Sequence, residues 1–378
     1  MDAAPSEPRL RRARALVVAW DRRGPVGRNW FARSEAVRDA RALDLVGRLD
    51  DWSAIEALFP CGATADERAA LAAALVRLVD AALVLVEGTA AADDDERLAR
   101  EWEWGLTAGV FHFGVHDTVY VQPAGIRAQV QARLAATTAV ETYALPSTGA
   151  LALPRPGRER PLLRALCRRR SCRSFADSEM PLEVLAECLF AGLAIVGFGA
   201  ADDGGERLPL TPCPSGGARH PFEAYVCAYR VSGLAPGVYR YAGIDHSLSR
   251  VHDRPPPEAS TLLGGQTWFA DAGALVLLVA HFQRTQRKYP HPGAFRVVLL
   301  EAGHIAQNLL VAAAGHGLAA TPTCALSDRE LEAACALDPI RQAVVHVVAL
   351  GARGDAQASA DFVRYDENPA LPGWLDGV

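Results

Sequence analysis

Residues His281–Asn308 read HFQRTQRKYPHPGAFRVVLLEAGHIAQN. The stretch joins a continuous apolar run, Asp271–Phe282, to a helical pattern over Arg296–His316. The run is the length of a buried strand, and the apolar spacing after it predicts a long core helix. Between them stands Lys288, the only lysine in the chain; every other residue in the Lys+Arg count of 39 is arginine. Such a bias can reflect codon usage, and a leftover surface lysine is one reading. The other is that the position needs an ammonium, which can lose its proton near neutral pH when desolvated, as guanidinium cannot. Tyr289 follows directly and supplies a second proton-carrying group.

The 378 residues are enough for two or three domains, and 50% are hydrophobic, so a large core is within reach. A net charge of -5 argues against nucleic acid or an anionic membrane as the main partner. The N-terminal apolar segment LVVAW is too short for a signal or a membrane span. Eight cysteines without CxxC spacing read as free thiols of a cytoplasmic protein and not as a zinc site. Cys172 reads as passive.

Outward toward the N-terminus, Ala15–Trp20 is a predicted strand. SAIEALF is a predicted short helix, Asp66–Val79 a longer one, and ALVLVEG a strand. That order is the order of a winged-helix unit. The long helix carries only Arg68 and Arg77, so a peptide-binding or structural unit fits better than a DNA reader. Asp93–Glu96 is read as opening a further helix, its acids suiting the N-terminus. WEWGLTAGVFHFGVHDTVYV reads as more strand-like than helical, with His112 a structural or a lining residue. Ala124–Val140 is a predicted helix. The expected organisation is therefore an N-terminal winged-helix-like region over 1–145, a linker over 146–160 and a main domain over 161–355. A C-terminal tail anchored by Trp374 follows over 356–378.

In the main domain, LLRALCRRRSCRSF ends in an arginine cluster. Arg169, Arg170, Ser171 and Arg173 have the chemistry of a phosphate cradle or of a solvated basic turn. MPLEVLAECLFAGLAI is an amphipathic helix opened by proline. TPCPSGGA is a turn whose Gly-Gly allows close backbone approach, without a P-loop ending. FEAYVCAYRV is a strand, PGVYRYAG and HSLSRVH a hairpin, LAATPTCAL a buried strand and turn, and AVVHVVAL a buried strand before Arg353.

Taken in order, these pieces resemble the FMN-dependent nitroreductase superfamily. RRSCR is similar to its RRSxR phosphate motif, and EAGHIAQNLLVAAAGHGLAATP to its long helix and following strand. PSGGARHPFEAYV, PGVYRYAGIDHSL, WEWGLTAGVFHF and the Lys-Tyr pair resemble the SagB-type branch, the azoline dehydrogenases of ribosomal peptide maturation. The resemblance runs over roughly Trp102–Arg353. It implies an α+β fold with a helix-flanked mixed sheet, and a homodimer with FMN at the subunit interface. It also implies a precursor peptide as substrate and a cyclodehydratase as a further partner. Arg169, Arg170, Ser171 and Arg173 would hold phosphate and ribityl, with Arg353 closing from the C-terminal side. Pro214, Ser215 and Gly216 would approach the flavin from the partner subunit. Cys324 and Ala325 align where relatives offer backbone N–H groups to the ring, although relatives often have glycine in that turn. Glu301 has two readings, a flavin contact or a structural salt bridge.

Aromatising an azoline removes a carbon-bound proton and a hydride. The hydride needs a two-electron cofactor and the proton a base. A lysine partly desolvated beside Arg287 would meet the second need, with Tyr289 relaying the proton. On that argument Lys288 reads as retained for function. Two alternatives share the fold: a generic NAD(P)H-dependent nitro or quinone reductase, and a non-catalytic peptide-binding scaffold.

Overall fold

The computed structural model describes residues 8–32, 34, 37–117, 123–136, 151, 160–200, 207–355 and 366. Most of the expected linker and tail, Trp374 included, lies outside them. The chain divides into two compact units, Met1–His116 with Tyr289–Arg296, and Asp117–Lys288 with Val297–Val378.

The first unit contains strands β1 (Arg9–Arg12), β2 (Leu16–Asp21) and β3 (Gly24–Asn29), then helix α1 (Ala40–Val46) and the two-residue strand β4 (Ser53–Ala54). Helix α2 (Ala65–Asp80), strand β5 (Val84–Val86) and helices α3 (Ala90–Glu101) and α4 (Gly105–Gly114) follow. β4, β1 and β5 form one antiparallel sheet and β2–β3 a hairpin. α2 starts on a capping box in which Thr64 and Glu67 satisfy each other's backbone N–H. Its Leu75 and Leu78 join Leu43, Leu49 and Leu83 in the core.

Three expectations need correcting here. SAIEALF is β4 followed by a single 3-10 turn, Ile55–Leu58, and not a short helix. α3 starts at Ala90 on a Thr89 cap, so only Asp93 of the acidic run lies in the first turn. Asp95 is instead buried, bonded to Arg11 Nη2 at 3.0 Å and to the Arg14 N–H at 2.9 Å. The strand-like reading of this stretch fails over its described part, Trp102–Asp117, whose core is α4; the remainder, 118–121, lies outside the described residues. Ala108, Gly109, His112 and Phe113 share that helix's buried face, a spacing that the aromatic composition had masked. A Cβ on Gly109 would stand 2.6 Å from the Trp30 ring, so the glycine admits that ring. His112 stacks on Trp102, ring centroids 5.6 Å apart, and so packs as a structural residue.

The second unit begins with α5 (Pro123–Ala136), α6 (Pro161–Arg168), β6 (Met180–Pro181) and α7 (Leu182–Leu193). The hairpin β7 (Gly197–Ala200) and β8 (Arg207–Leu210) leads to β9 (Phe222–Ala228), β10 (Val231–Ser232), β11 (Gly237–Ala242) and β12 (Ser247–Arg250). Then come α8 (Ala259–Leu262), β13 (Ala274–His281), α9 (Phe282–Gln286), α10 (Ala294–Gly315), β14 (Ala319–Thr323), α11 (Asp328–Cys335) and β15 (Gln342–Gly351). Six strands form one sheet in the order β12-β11-β9-β13-β15-β14. Its neighbouring pairs are antiparallel, whereas the short β6–β10 pair is parallel.

β13 lies in the middle and is buried from Ala274 to Ala280, which explains its unbroken apolar sequence. α10 has the length and hydropathy to cross a membrane. It buries Ala302, Ile305, Ala306, Leu309 and Ala313 within the protein. It packs closely on α7, where a Cβ on Gly192 would lie 3.2 Å from Leu309, and Asn308 Nδ2 donates to the Ala191 carbonyl at 2.9 Å.

This topology decides where the loops go. β13 and β14 point the same way, and β9 and β15 oppose them. The segment after β13 (Lys288), the turn after β14 (Cys324-Ala325) and the turn before β9 (Pro-Ser-Gly-Gly) therefore leave from one end of the sheet. Arg353, after β15, leaves from the other.

Candidate active site

The arginine cluster lies against the edge strand. The Cys172 N–H donates to the Ala320 carbonyl of β14 at 2.9 Å, and the segment then runs past the start of β14. There Phe175 bridges Arg353 in antiparallel fashion, and the Ala176 N–H donates to the Ala352 carbonyl at 2.9 Å. Arg353 and the Arg169–Arg173 segment are thereby brought together, although 180 residues separate Arg173 from Arg353. Arg170 is partly committed already: its Nη1 donates to the carbonyls of Cys167 at 2.8 Å and Arg169 at 2.7 Å. Cys172 donates its thiol to the Ser174 carbonyl at 3.5 Å.

At the far end of β14, the Ala325 N–H donates to Thr323 Oγ1 at 3.1 Å. Cys324 Sγ lies 2.8 Å from His346 Nδ1 on β15, a partner that the sequence did not indicate. Desolvation pushes the Cys324 thiol up and the His346 imidazole down, which favours a neutral thiol beside a neutral ring. Ala320 and Cys324 are four residues apart on an extended strand, roughly 13 Å. The edge thus offers cations near one end and a backbone turn at the other. That donor set fits an elongated molecule with a phosphate at one end and a ring at the other, as FMN has.

The Pro-Ser-Gly-Gly turn forms a second constellation with α10 and α9. Ser215 Oγ donates to Glu301 Oε2 at 2.9 Å, and the Gly216 N–H reaches the same oxygen at 3.3 Å. The His220 N–H donates back to Ser215 Oγ at 2.8 Å. A Cβ on Gly216 would stand 2.5 Å from Val297 Cγ1, and Gly217 sits at φ +63. Both glycines are therefore required by the backbone, one by close approach and one by its left-handed conformation. Glu301 is buried, and among the described residues its hydrogen-bond partners are two neutral donors and not a cation. The salt-bridge reading of Glu301 fails for that reason. Desolvation pushes its carboxyl up to about 7, against the smaller pull of the Ser215 and Gly216 donors.

Lys288 follows α9, and its Nζ lies 3.5 Å from the Gly217 carbonyl of the same turn. The side chain is exposed and not desolvated as expected, and Arg287 beside it is exposed too. The Tyr289 carbonyl accepts a bond from Trp104 Nε1 at 2.9 Å, so that residue's backbone is anchored in the first unit.

Next to the Pro-Ser-Gly-Gly turn lies a cleft of about 510 Å³, lined in part by Glu301, Arg219, His220, Glu223, Arg240 and Arg284. Glu223 was not singled out from the sequence. Burial pushes its carboxyl up, but His281, Arg240 and Arg284 together hold it well below the usual range. Its oxygens meet Arg240 Nε at 2.6 Å, His281 Nε2 at 3.3 Å and Arg284 Nη2. The available signal was one acid inside the otherwise apolar strand FEAYVCA.

The structure therefore collects the expected residues into two sets. Arg169, Arg170, Ser171, Arg173, Arg353, Cys324 and Ala325 accompany the β14 edge. Pro214, Ser215, Gly216, Glu301 and Lys288 share the corner of the Pro-Ser-Gly-Gly turn. No metal-binding cluster of three or more His, Cys, Asp or Glu occurs among the described residues.

The nitroreductase family model matches residues 166–352. A putative nitroreductase of Methanocaldococcus jannaschii is 34% identical over 167 residues, which cover 44% of this chain and 79% of that protein. The trifolitoxin-processing protein TfxB of Rhizobium leguminosarum bv. trifolii is 32% identical over 132 residues, 33% of this chain and 35% of that protein. Among solved structures, the Escherichia coli microcin synthetase McbBCD complex with truncated pro-MccB17 bound aligns with a TM-score of 0.42 and 20% identity. That alignment covers 62% of this chain and 96% of the matched chain. On the strength of the M. jannaschii relative and the family model, the chain belongs to the nitroreductase family, whose members are flavin-type oxidoreductases.

Proposed function

We propose that the protein oxidises azoline rings in a ribosomally made peptide to azoles, using FMN and Lys288 as base. The observation that carries this reading is the corner where Lys288 Nζ meets the Pro-Ser-Gly-Gly turn that Glu301 pins. Similarity to a trifolitoxin-processing protein supports the peptide as substrate. Bound FMN would supply the two-electron acceptor that no side chain provides.

The residues of this chain would do the rest. Arg169, Ser171, Arg173 and Arg353 would hold the phosphate and ribityl chain, with Arg170 adding the donors it does not spend on its own backbone. The backbone at Cys324 and Ala325 would face the ring. A bound peptide would cover the exposed ammonium and strip its water, the ammonium would release a proton to solvent, and the neutral amine Nζ of Lys288 would then take the carbon-bound proton. Tyr289 would orient or share that proton. Glu301 would keep the Pro-Ser-Gly-Gly backbone in place.

Within one chain the segment of Arg353 and the arginine cluster lies at the opposite end of the sheet from the Pro-Ser-Gly-Gly turn, an arrangement that a site shared by two subunits would accommodate. Pro214, Ser215 and Gly216 would then serve the flavin of a partner subunit in a homodimer. Exposed Val297, Leu299 and Leu300 on α10 supply apolar surface for that contact. The region before about residue 145 would recognise peptide and not DNA, in a cytoplasmic setting alongside a cyclodehydratase.

A second reading, reduction of small nitro compounds or quinones by NAD(P)H, is favoured by the M. jannaschii relative. Anaerobic mixing separates the two. The proposal expects an azoline-bearing peptide to bleach the bound flavin and yield the azole, with NADH and NADPH ineffective. Bleaching by NAD(P)H alone, with no reaction of the peptide, would establish the second reading instead.

A further inference from the structure

The cleft beside the Pro-Ser-Gly-Gly turn carries charge that the ring chemistry does not use. Leu193, Ile195 and Ile305 make part of its lining apolar, whereas Arg219, Arg240 and Arg284 make another part cationic. Glu223 fixes two of these arginines by bonding Arg240 Nε and Arg284 Nη2, and its carboxylate is held ionised by them and by His281. A guanidinium has five N–H donors. Arg240 gives its Nε to Glu223, and Arg284 gives Nη1 to the His220 carbonyl at 3.1 Å and Nη2 to Glu223. Both side chains remain well exposed, 54% and 40%. Among the described residues that line the cleft, three arginines stand against two carboxyl groups, those of Glu223 and Glu301. Two guanidinium groups are thus held in place before any ligand arrives, which lowers the ordering cost of binding an anion.

We propose that this cleft is a binding site for the carboxylate of an acyl-amino-acid or peptide ligand. Arg240 and Arg284 would take the carboxylate, and Leu193, Ile195 and Ile305 the adjoining apolar group. Arg219 adds to the local positive charge, its own Nε engaged by the Gly217 carbonyl at 3.1 Å. The site needs no part of the azoline reading, since carboxylate binding does not depend on ring oxidation.

The test is calorimetric titration of the full-length, flavin-loaded protein with hippurate and with hippuramide, its neutral amide. Hippurate is expected to bind about tenfold or more tightly than the amide, the range of a charge-assisted hydrogen bond over a neutral one. Arg240→Gln is expected to abolish that preference while the bound-flavin spectrum stays unchanged. Equal affinity for acid and amide, or an undiminished preference in folded Arg240→Gln, would overturn the proposal. Should Arg240→Gln fail to fold because Glu223 loses a partner, the wild-type comparison of acid with amide decides alone.

Discussion

The edge of β14 and the corner around the Pro-Ser-Gly-Gly turn handle charge in opposite ways. Beside β14, the cations are arginines: Arg169, Arg170 and Arg173, with Arg353 joined to their segment through the Phe175 bridge. Their charge does not change at any working pH. At the corner, Arg219 is joined by groups that can exchange a proton, among them Lys288, His220 and a carboxylic acid pushed up to about 7. The difference follows from the partners. Glu301 is buried against a hydroxyl and an amide, whereas Glu223 in the neighbouring cleft is surrounded by His281, Arg240 and Arg284 and stays ionised. A fixed positive edge suits holding a phosphate, and a corner with exchangeable protons suits chemistry.

The largest expected effect lies at the fixed edge. Replacing Arg169 and Arg173 together with alanine should weaken FMN binding roughly 10²–10⁴-fold, two charged hydrogen-bonding groups at about 1.5–3 kcal/mol each. Flavin released on dialysis measures this at pH 6 and pH 8. The loss should be at least as large at pH 8, where the phosphate monoester, with a second pKa of about 6, is fully dianionic. Full retention of flavin would remove the edge from the binding account.

At the corner the expectation is a pH dependence. The carboxyl of Glu301 has its folded value raised from 4.5 to about 7. The folded state therefore binds the proton more tightly than the unfolded chain. This contribution to stability is fully present below about 4.5 and is lost as pH rises through about 7. Its size is about 3 kcal/mol. Glu301→Gln keeps an acceptor for Ser215 and Gly216 but cannot ionise. Urea unfolding at pH 5 and pH 8 should show a steeper loss of stability in the wild type than in the variant. Identical pH profiles would mean that Glu301 is not held near neutrality.

Smaller again is the steric demand of the turn itself. Gly216→Ala places a methyl against Val297 Cγ1 and should cost about 1–3 kcal/mol. Thermal unfolding measures it, and an unchanged melting temperature would mean that the turn stands off from α10.

Much of this architecture is legible in the sequence where one element settles its own environment. β13 and α10 announce themselves by length and apolar spacing, and the Pro-Ser-Gly-Gly turn by its glycines. α4 was hidden because its second half reads Phe-His-Phe and because the ring that its Gly109 admits, Trp30, is remote in sequence, while Trp102 stands just before the helix. The Glu223 cluster was hidden for a different reason. Its arginines reach the acid only through strand register, with Arg240 opposite Tyr225 on β9 and Arg284 following the end of β13. The exposure of Lys288 likewise depends on how the chain turns after α9, which local pattern does not state.

The central claim is that Lys288 acts by giving up and taking a proton. Lys288→Arg keeps the charge and most of the length but stays protonated, and Lys288→Ala removes both. The most direct measurement is single-turnover flavin reduction by an azoline-bearing peptide, under anaerobic conditions, in flavin-loaded wild type and both variants. The account predicts that both variants retain FMN and that both lose the reduction rate by a similar factor, on the order of 10²–10⁴. A near-wild-type rate in Lys288→Arg, with only the alanine variant impaired, would contradict it.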